Sequence, residues 1–130
     1  MTIKEVSNKF GLTPDTLRFY EKKGLIGPVN KTEGGIRNYG EKDLSRIEFI
    51  KCMKDAGIPL DVLKKYFDLF EMGDSTLEER KNLLKKQRTI LKEKIDKMND
   101  AYKKLNYKID LFYEGKLDEY MNKMNELNKK

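Results

Sequence analysis

Apolar residues set two different rhythms along this chain. Up to residue 72 they fall three and four positions apart, in short runs that Gly and Pro interrupt; from Leu77 onward they return every seventh position. The first rhythm predicts short amphipathic helices sharing one small core. The second predicts a long helix with a narrow apolar seam.

The first run opens at Thr2-Ile3-Lys4-Glu5, a capping box with Ile3, Val6 and Phe10 behind it on one face. Gly11 ends this helix. Thr13 suits the N-cap of a second helix, Pro14 its first position and Gly24 the residue after its last turn. Leu17 should face inward with Ile3, Val6, Phe10 and Leu12, while Arg18, Phe19 and Lys22 point away and Tyr20 sits at the border. Gly34-Gly35, with Arg37 and Tyr39 just beyond, reads as a hairpin. A third helix is expected over residues 41–56, carrying Leu44, Ile47, Phe49, Ile50, Cys52, Met53 and Ala56. A fourth is expected over 59–72, with Leu60, Leu63, Phe67 and Phe70 inward. Together these elements read as one compact domain, residues 1–72.

Ser75-Thr76-Leu77-Glu78 is a second capping box, and it opens the long helix expected over 75–112. Leu77, Leu84, Leu91, Met98, Leu105 and Phe112 form one seam position, and Ile95, Tyr102 and Ile109 fill the other, which is polar at its start with Lys81 and Arg88. The span from Leu77 to Phe112 covers about 54 Å at 1.5 Å per residue. A lone helix cannot bury such a seam, so the expected partner is a second copy of the chain. Residues 113–130, with Leu117, Tyr120, Met121, Met124 and Leu127, read as one short amphipathic helix packed on the end of the coil.

Composition narrows the function. The formal charge is +6, yet residues 1–75 hold 13 Lys/Arg against 12 Asp/Glu while residues 76–130 hold 15 against 10. Net charge therefore does not single out the N-terminal domain as a nucleic-acid binder; its placed residues must do that. The single cysteine, Cys52, excludes an intramolecular disulfide, and the lack of histidine removes the usual general base and the commonest metal ligand. No phosphate loop follows Gly34-Gly35, and no nucleophile pair or metal cluster can be assembled. No cofactor, no metal and no enzymatic activity are expected. Nor does any segment have the apolar length of a signal peptide or membrane span, so a cytoplasmic protein is expected.

Two short helices at a tight turn make the helix-turn-helix layout, whose second helix enters the major groove. That layout beside a hairpin bearing Arg37 and Tyr39 suits double-stranded DNA. The same residues also fit a plain helical hairpin with solvated charges, and the whole chain also fits a coiled-coil adaptor that binds protein.

The order Thr-Ile-x-Glu-Val, Thr-Leu-Arg-Phe-Tyr-Glu-x-x-Gly-Leu-Ile, Gly-x-Arg-x-Tyr and Ala-Gly-Ile-Pro-Leu-Asp resembles the MerR family of bacterial transcription regulators, densely over residues 2–70. The resemblance implies a mainly α fold: a winged helix-turn-helix (2–24, wing 26–39), the helices over 41–56 and 59–72, and a long dimerisation helix pairing as an antiparallel coiled coil. It implies a homodimer on a palindromic promoter, bending and untwisting the DNA so that RNA polymerase, acting through the promoter, can engage it. It places Thr16, Arg18, Phe19 and Tyr20 of the second helix, and Lys31, Arg37 and Tyr39 of the wing, on the DNA. Three positions depart from the family pattern: Phe19 and Ile36 stand where aromatic hydroxyl and aromatic residues are common, and Pro59 stands where Ser or Thr usually caps.

Within the family, metal-sensing members carry cysteines at the start of the long helix and after it; residues 75–130 hold neither Cys nor His. Multidrug-sensing members carry a large domain for which the residues after Phe112 leave no room. A branch with one cysteine on the third helix responds to aldehydes and other thiol-reactive electrophiles, and this chain is similar to it in length and in the position of Cys52. From the residues alone Cys52 reads as a buried structural cysteine, flanked at helical spacing by Glu48, Phe49, Asp55 and Ala56. Both the electrophile-responsive regulator and one without cysteine-based sensing stay open.

Overall fold

The computed structural model describes residues 1–128, and of Leu117 only the backbone. Its helices run in the order α1 (Ile3–Phe10), α2 (Pro14–Lys22), α3 (Glu41–Asp55), α4 (Leu60–Glu71), a 3-10 turn (Asp74–Thr76), α5 (Leu77–Glu114) and α6 (Leu117–Asn128). The chain divides into two compact units, Met1–Gln87 and Arg88–Lys130.

In the first unit side-chain caps start α1 and α2 where the sequence places them, while a 3-10 turn over Asp74–Thr76 stands in place of the capping box expected at Ser75–Glu78. Thr2 Oγ1 accepts from Glu5 N at 3.2 Å while Thr2 N donates to Glu5 Oε1 at 3.0 Å, closing the capping box of α1. Thr13 Oγ1 accepts from Thr16 N at 3.1 Å and caps α2, with Pro14 in the first turn. Ser7 Oγ donates to the Leu12 carbonyl and fixes the turn between the two helices. The α3 start has no capping side chain of its own; Asp43 Oδ2 accepts from Gly40 N at 2.9 Å instead.

These helices pack α1 on α2 and α3, and α3 on α4, around Val6, Leu17, Tyr20, Leu25, Ile26, Val29, Tyr39, Ile47, Ile50, Leu63 and Phe67. Ile3, Phe10 and Leu12 lie partly buried against this core, on the inner side of α1 and α2 as their spacing requires. Between α2 and α3 the hairpin forms with a single antiparallel bridge, Lys31 to Arg37, and no strand among the described residues. Thr32 N donates to the Ile36 carbonyl and Asn38 N to the Asn30 carbonyl, each at 2.7 Å. Gly35, at φ +77°, takes the left-handed turn conformation that a side chain would disfavour. Tyr39 N donates to the Met1 carbonyl at 2.7 Å, so the hairpin's exit is tied to the residues that lead into α1.

Three expectations are corrected here. Tyr20 is fully buried, not at the border of the core: position 20 lies one turn from Leu17 on the inner face of α2. Phe70 is 48% exposed, not inward. It occupies the last turn of α4, with the Arg46 and Arg80 guanidinium groups 5.6 and 5.2 Å from its ring. Cys52 is an exposed free cysteine, not a buried structural one, because Ile47 and Ile50 take the inner face of α3.

Before α5, Thr76 is buried and its hydroxyl donates to the Leu69 carbonyl at 2.6 Å, with the Gly73 carbonyl at 2.8 Å; Arg80 Nε donates back to Thr76 Oγ1 at 3.0 Å. One polar side chain thereby joins the end of α4, the 3-10 turn and the first turns of α5.

In the second unit most of the heptad residues of α5 stay open. Ile95, Met98, Tyr102, Leu105, Ile109 and Phe112 are all exposed, Met98 by 71% and Phe112 by 66%. Gly115, at φ +66°, ends the helix, and Lys116 N donates to the Leu111 carbonyl at 2.9 Å. α6 meets α5 through Tyr107 and Tyr120, whose rings stand edge to face 5.7 Å apart. Leu111, off the heptad positions, is buried.

Candidate nucleic-acid interface

Helix α2 and the hairpin after it gather most of the residues expected to meet DNA. On α2, Leu17 and Tyr20 are inward, which turns Arg18 and Phe19 to the surface. The Arg18 side chain is half exposed and donates through Nη1 to Asp15 Oδ1 at 2.9 Å. Phe19 carries Lys23 Nζ 5.8 Å from its ring centroid. The Thr16 hydroxyl lies 2.8 Å from that of Thr13, within the cap. On the hairpin, Lys31 is exposed, and so is Ile36, which follows the turn and pairs with Thr32.

Arg37 faces back toward α2. Its Nε donates to Glu21 Oε1 at 2.9 Å, across 16 positions of sequence, and both side chains are mostly shielded from solvent. Nothing in the apolar pattern points to this pair, because only the fold brings the two together. Glu21 is thus a residue of this surface that the sequence did not single out.

Tyr20 and Tyr39 lie inside the core, and neither hydroxyl has a hydrogen-bond partner among the described residues. Burial pushes both phenols above their ordinary value; for Tyr20 the Asp55 carboxylate adds to the rise. At Tyr39 the charges of Arg37, Glu21, Arg18 and Asp43 also act on the hydroxyl, the two arginines opposing the rise. The resemblance assigns both to the DNA surface; in the free chain their rings lie in the core and support α2 and the hairpin from within.

Cys52 projects from α3 beside the Lys51–Asp55 ion pair at 3.2 Å. A cleft of about 770 Å³ lies elsewhere on α3 and α4, walled by Phe49, Tyr66, Phe67 and Phe70 with Arg46 and Glu71 at its edge. It includes neither Cys52 nor any residue expected on DNA. Among the described residues no group of three or more Cys, Asp or Glu side chains could hold a metal ion, and no helix is long and apolar enough to cross a membrane.

Residues 1–69 match the model of the MerR HTH family regulatory proteins, and residues 44–107 match that of the MerR DNA-binding region. The HTH-type transcriptional regulator AdhR of Bacillus subtilis is 50% identical over 93 residues, which span 72% of this chain and 66% of that protein, just under two thirds of its length. A solved chain from Listeria monocytogenes, assigned to the MerR family of transcriptional regulators, shares 42% identity with a TM-score of 0.83, over 98% of this chain and 96% of its own. HiNmlR, a MerR family regulator lacking the sensor domain and solved bound to promoter DNA, shares 32% identity with a TM-score of 0.77, over 88% of this chain and 91% of its own.

Proposed function

We propose, for a chain that belongs to the MerR family of DNA-binding transcription regulators, that it acts as a homodimer on a palindromic promoter and controls transcription by distorting it. The observation that carries this reading is the likeness, over most of both chains, to a regulator solved on promoter DNA. In the proposed complex α2 enters the major groove with Thr16, Arg18 and Phe19, and the wing follows the backbone with Lys31 and Arg37. Tyr20 and Tyr39 hold those elements in place from the core. The domain division follows the same logic: residues 1–72 bind DNA, 75–112 pair with the partner and 113–130 close the end of the coil. Two copies joined along α5 would set two recognition helices at fixed separation, and RNA polymerase would respond to the reshaped promoter.

The finer proposal concerns the signal. The chain's one thiol is exposed on α3, within reach of small electrophiles. A thiol adding to an aldehyde forms an S–C bond while its proton passes to the carbonyl oxygen, and the adduct would alter how α3 sits in the domain. The support for this reading is the exposure of Cys52 together with the family resemblance.

Binding of the full chain to a duplex from the DNA upstream of its own gene, measured across salt concentrations, tests the first proposal. Arg18→Ala and Arg37→Ala should each weaken binding, with the salt slope flattening by about 0.9 for each phosphate that is no longer neutralised. An adaptor would show neither effect. For the second, Cys52→Ala should abolish the transcriptional response to an added aldehyde while leaving promoter binding intact; a response that survives the substitution overturns sensing at Cys52.

A further inference from the structure

The Arg37–Glu21 pair does something odd for a surface that is to meet DNA: it sets a carboxylate against a cation expected to take a phosphate. The pair joins α2 to the wing, whose ends are held by the buried Val29 and Tyr39 and by Met1, and it is the ion pair that ties the hairpin's own single bridge to the recognition helix. Arg37 spends only Nε on Glu21, and its two terminal nitrogens have no protein partner among the described residues. A guanidinium held this way is oriented and still has two donors for a planar or tetrahedral anion. Tyr39 shows that this is one cluster: the charges of Arg37, Glu21 and Arg18 all act on its hydroxyl.

We propose that Glu21 is a positioning residue for DNA binding: it holds Arg37 in the orientation that takes a backbone phosphate at the junction of α2 and the wing. This rests on the reading of that surface as the DNA-binding one. The wing is thereby fixed to the recognition helix before DNA arrives, and the ordering of a long side chain is not charged against binding.

Field and orientation give opposite signs, which makes the role testable. Glu21→Leu removes a carboxylate from a chain of formal charge +6 and leaves no acceptor for Arg37 Nε, so the overall field alone would tighten DNA binding. Loss of positioning weakens it instead. Binding of the full chain to a duplex from upstream of its own gene, titrated in salt, should fall about tenfold per half-site for Glu21→Leu, in the range of one charged hydrogen bond. The salt slope should flatten as it does for Arg37→Ala, and the double variant should lose no more than Arg37→Ala alone. Glu21→Leu binding as tightly as the wild type or more so, with its slope unchanged, overturns the proposal. Should Glu21→Leu not fold, Glu21→Asp decides: it keeps the charge but shortens the reach, and must weaken binding; wild-type affinity there overturns the role. Wild-type affinity in Arg37→Ala marks a different failure, that of the DNA-binding reading at the wing.

Discussion

The recognition-helix domain and the long helix treat their apolar residues in opposite ways. Val6, Leu17, Ile47 and Ile50 disappear entirely into a core that the first unit completes by itself, whereas Met98, Leu105 and Phe112 remain in the open. The charges run the other way: the well-packed part, residues 1–75, is close to neutral, and the excess of Lys and Arg lies with the long helix. Stability thus comes from a closed core in the first region, while the second leaves most of its apolar seam exposed. A narrow seam on one helix has no way to close without a partner, whatever the helix propensity of its residues.

The sharpest way to break that contrast is to charge the seam. Leu91→Asp with Met98→Asp places two carboxylates where an antiparallel pair would bury them, and should weaken self-association by more than about a hundredfold. Sedimentation equilibrium reads this directly; an unchanged mass in the variant would show that the seam is not the pairing surface. A large effect of another kind is expected inside the first unit. Leu17→Ala should cost about 2–5 kcal/mol in urea unfolding and cost it equally at every protein concentration. Leu105→Ala, by contrast, should lower the unfolding midpoint by an amount that depends on concentration, because its value arises only on pairing. Equal behaviour of the two would erase the distinction between self-sufficient and partner-dependent regions.

A smaller change tests the join before α5. Thr76→Val keeps the shape but removes the hydroxyl that serves the Leu69 carbonyl and receives Arg80, at a cost of about 1–3 kcal/mol in thermal or urea unfolding. The smallest expected effect has the opposite tendency. Tyr20→Phe removes a buried hydroxyl that has no partner among the described residues, so stability should hold or rise by up to about 1 kcal/mol, while DNA binding stays intact. A marked loss of binding in Tyr20→Phe would return that hydroxyl to the DNA interface.

Periodicity and caps determined much of this protein by themselves. Thr2 with Glu5, Thr13 with Pro14 and the heptads from Leu77 specify where helices begin and which faces are apolar, because those signals act within one or two turns of chain. Arg18 and Phe19 were legible as surface residues for the same reason. What only tertiary structure decided lies where distant segments meet or where a face is shared. Tyr20 lies on the same face as Leu17, and its full burial is completed in a core shared with Leu25, Ile26 and Tyr39 from beyond α2. Phe70 stayed out because Arg46 and Arg80 stack on it, and Cys52 stayed exposed because Ile47 and Ile50 had already taken the inner face of α3. Glu21 found Arg37 across a hairpin whose single bridge no local pattern specifies. A sequence reports its own near neighbours well; a salt bridge between a helix and a wing depends on how the whole core sets them side by side.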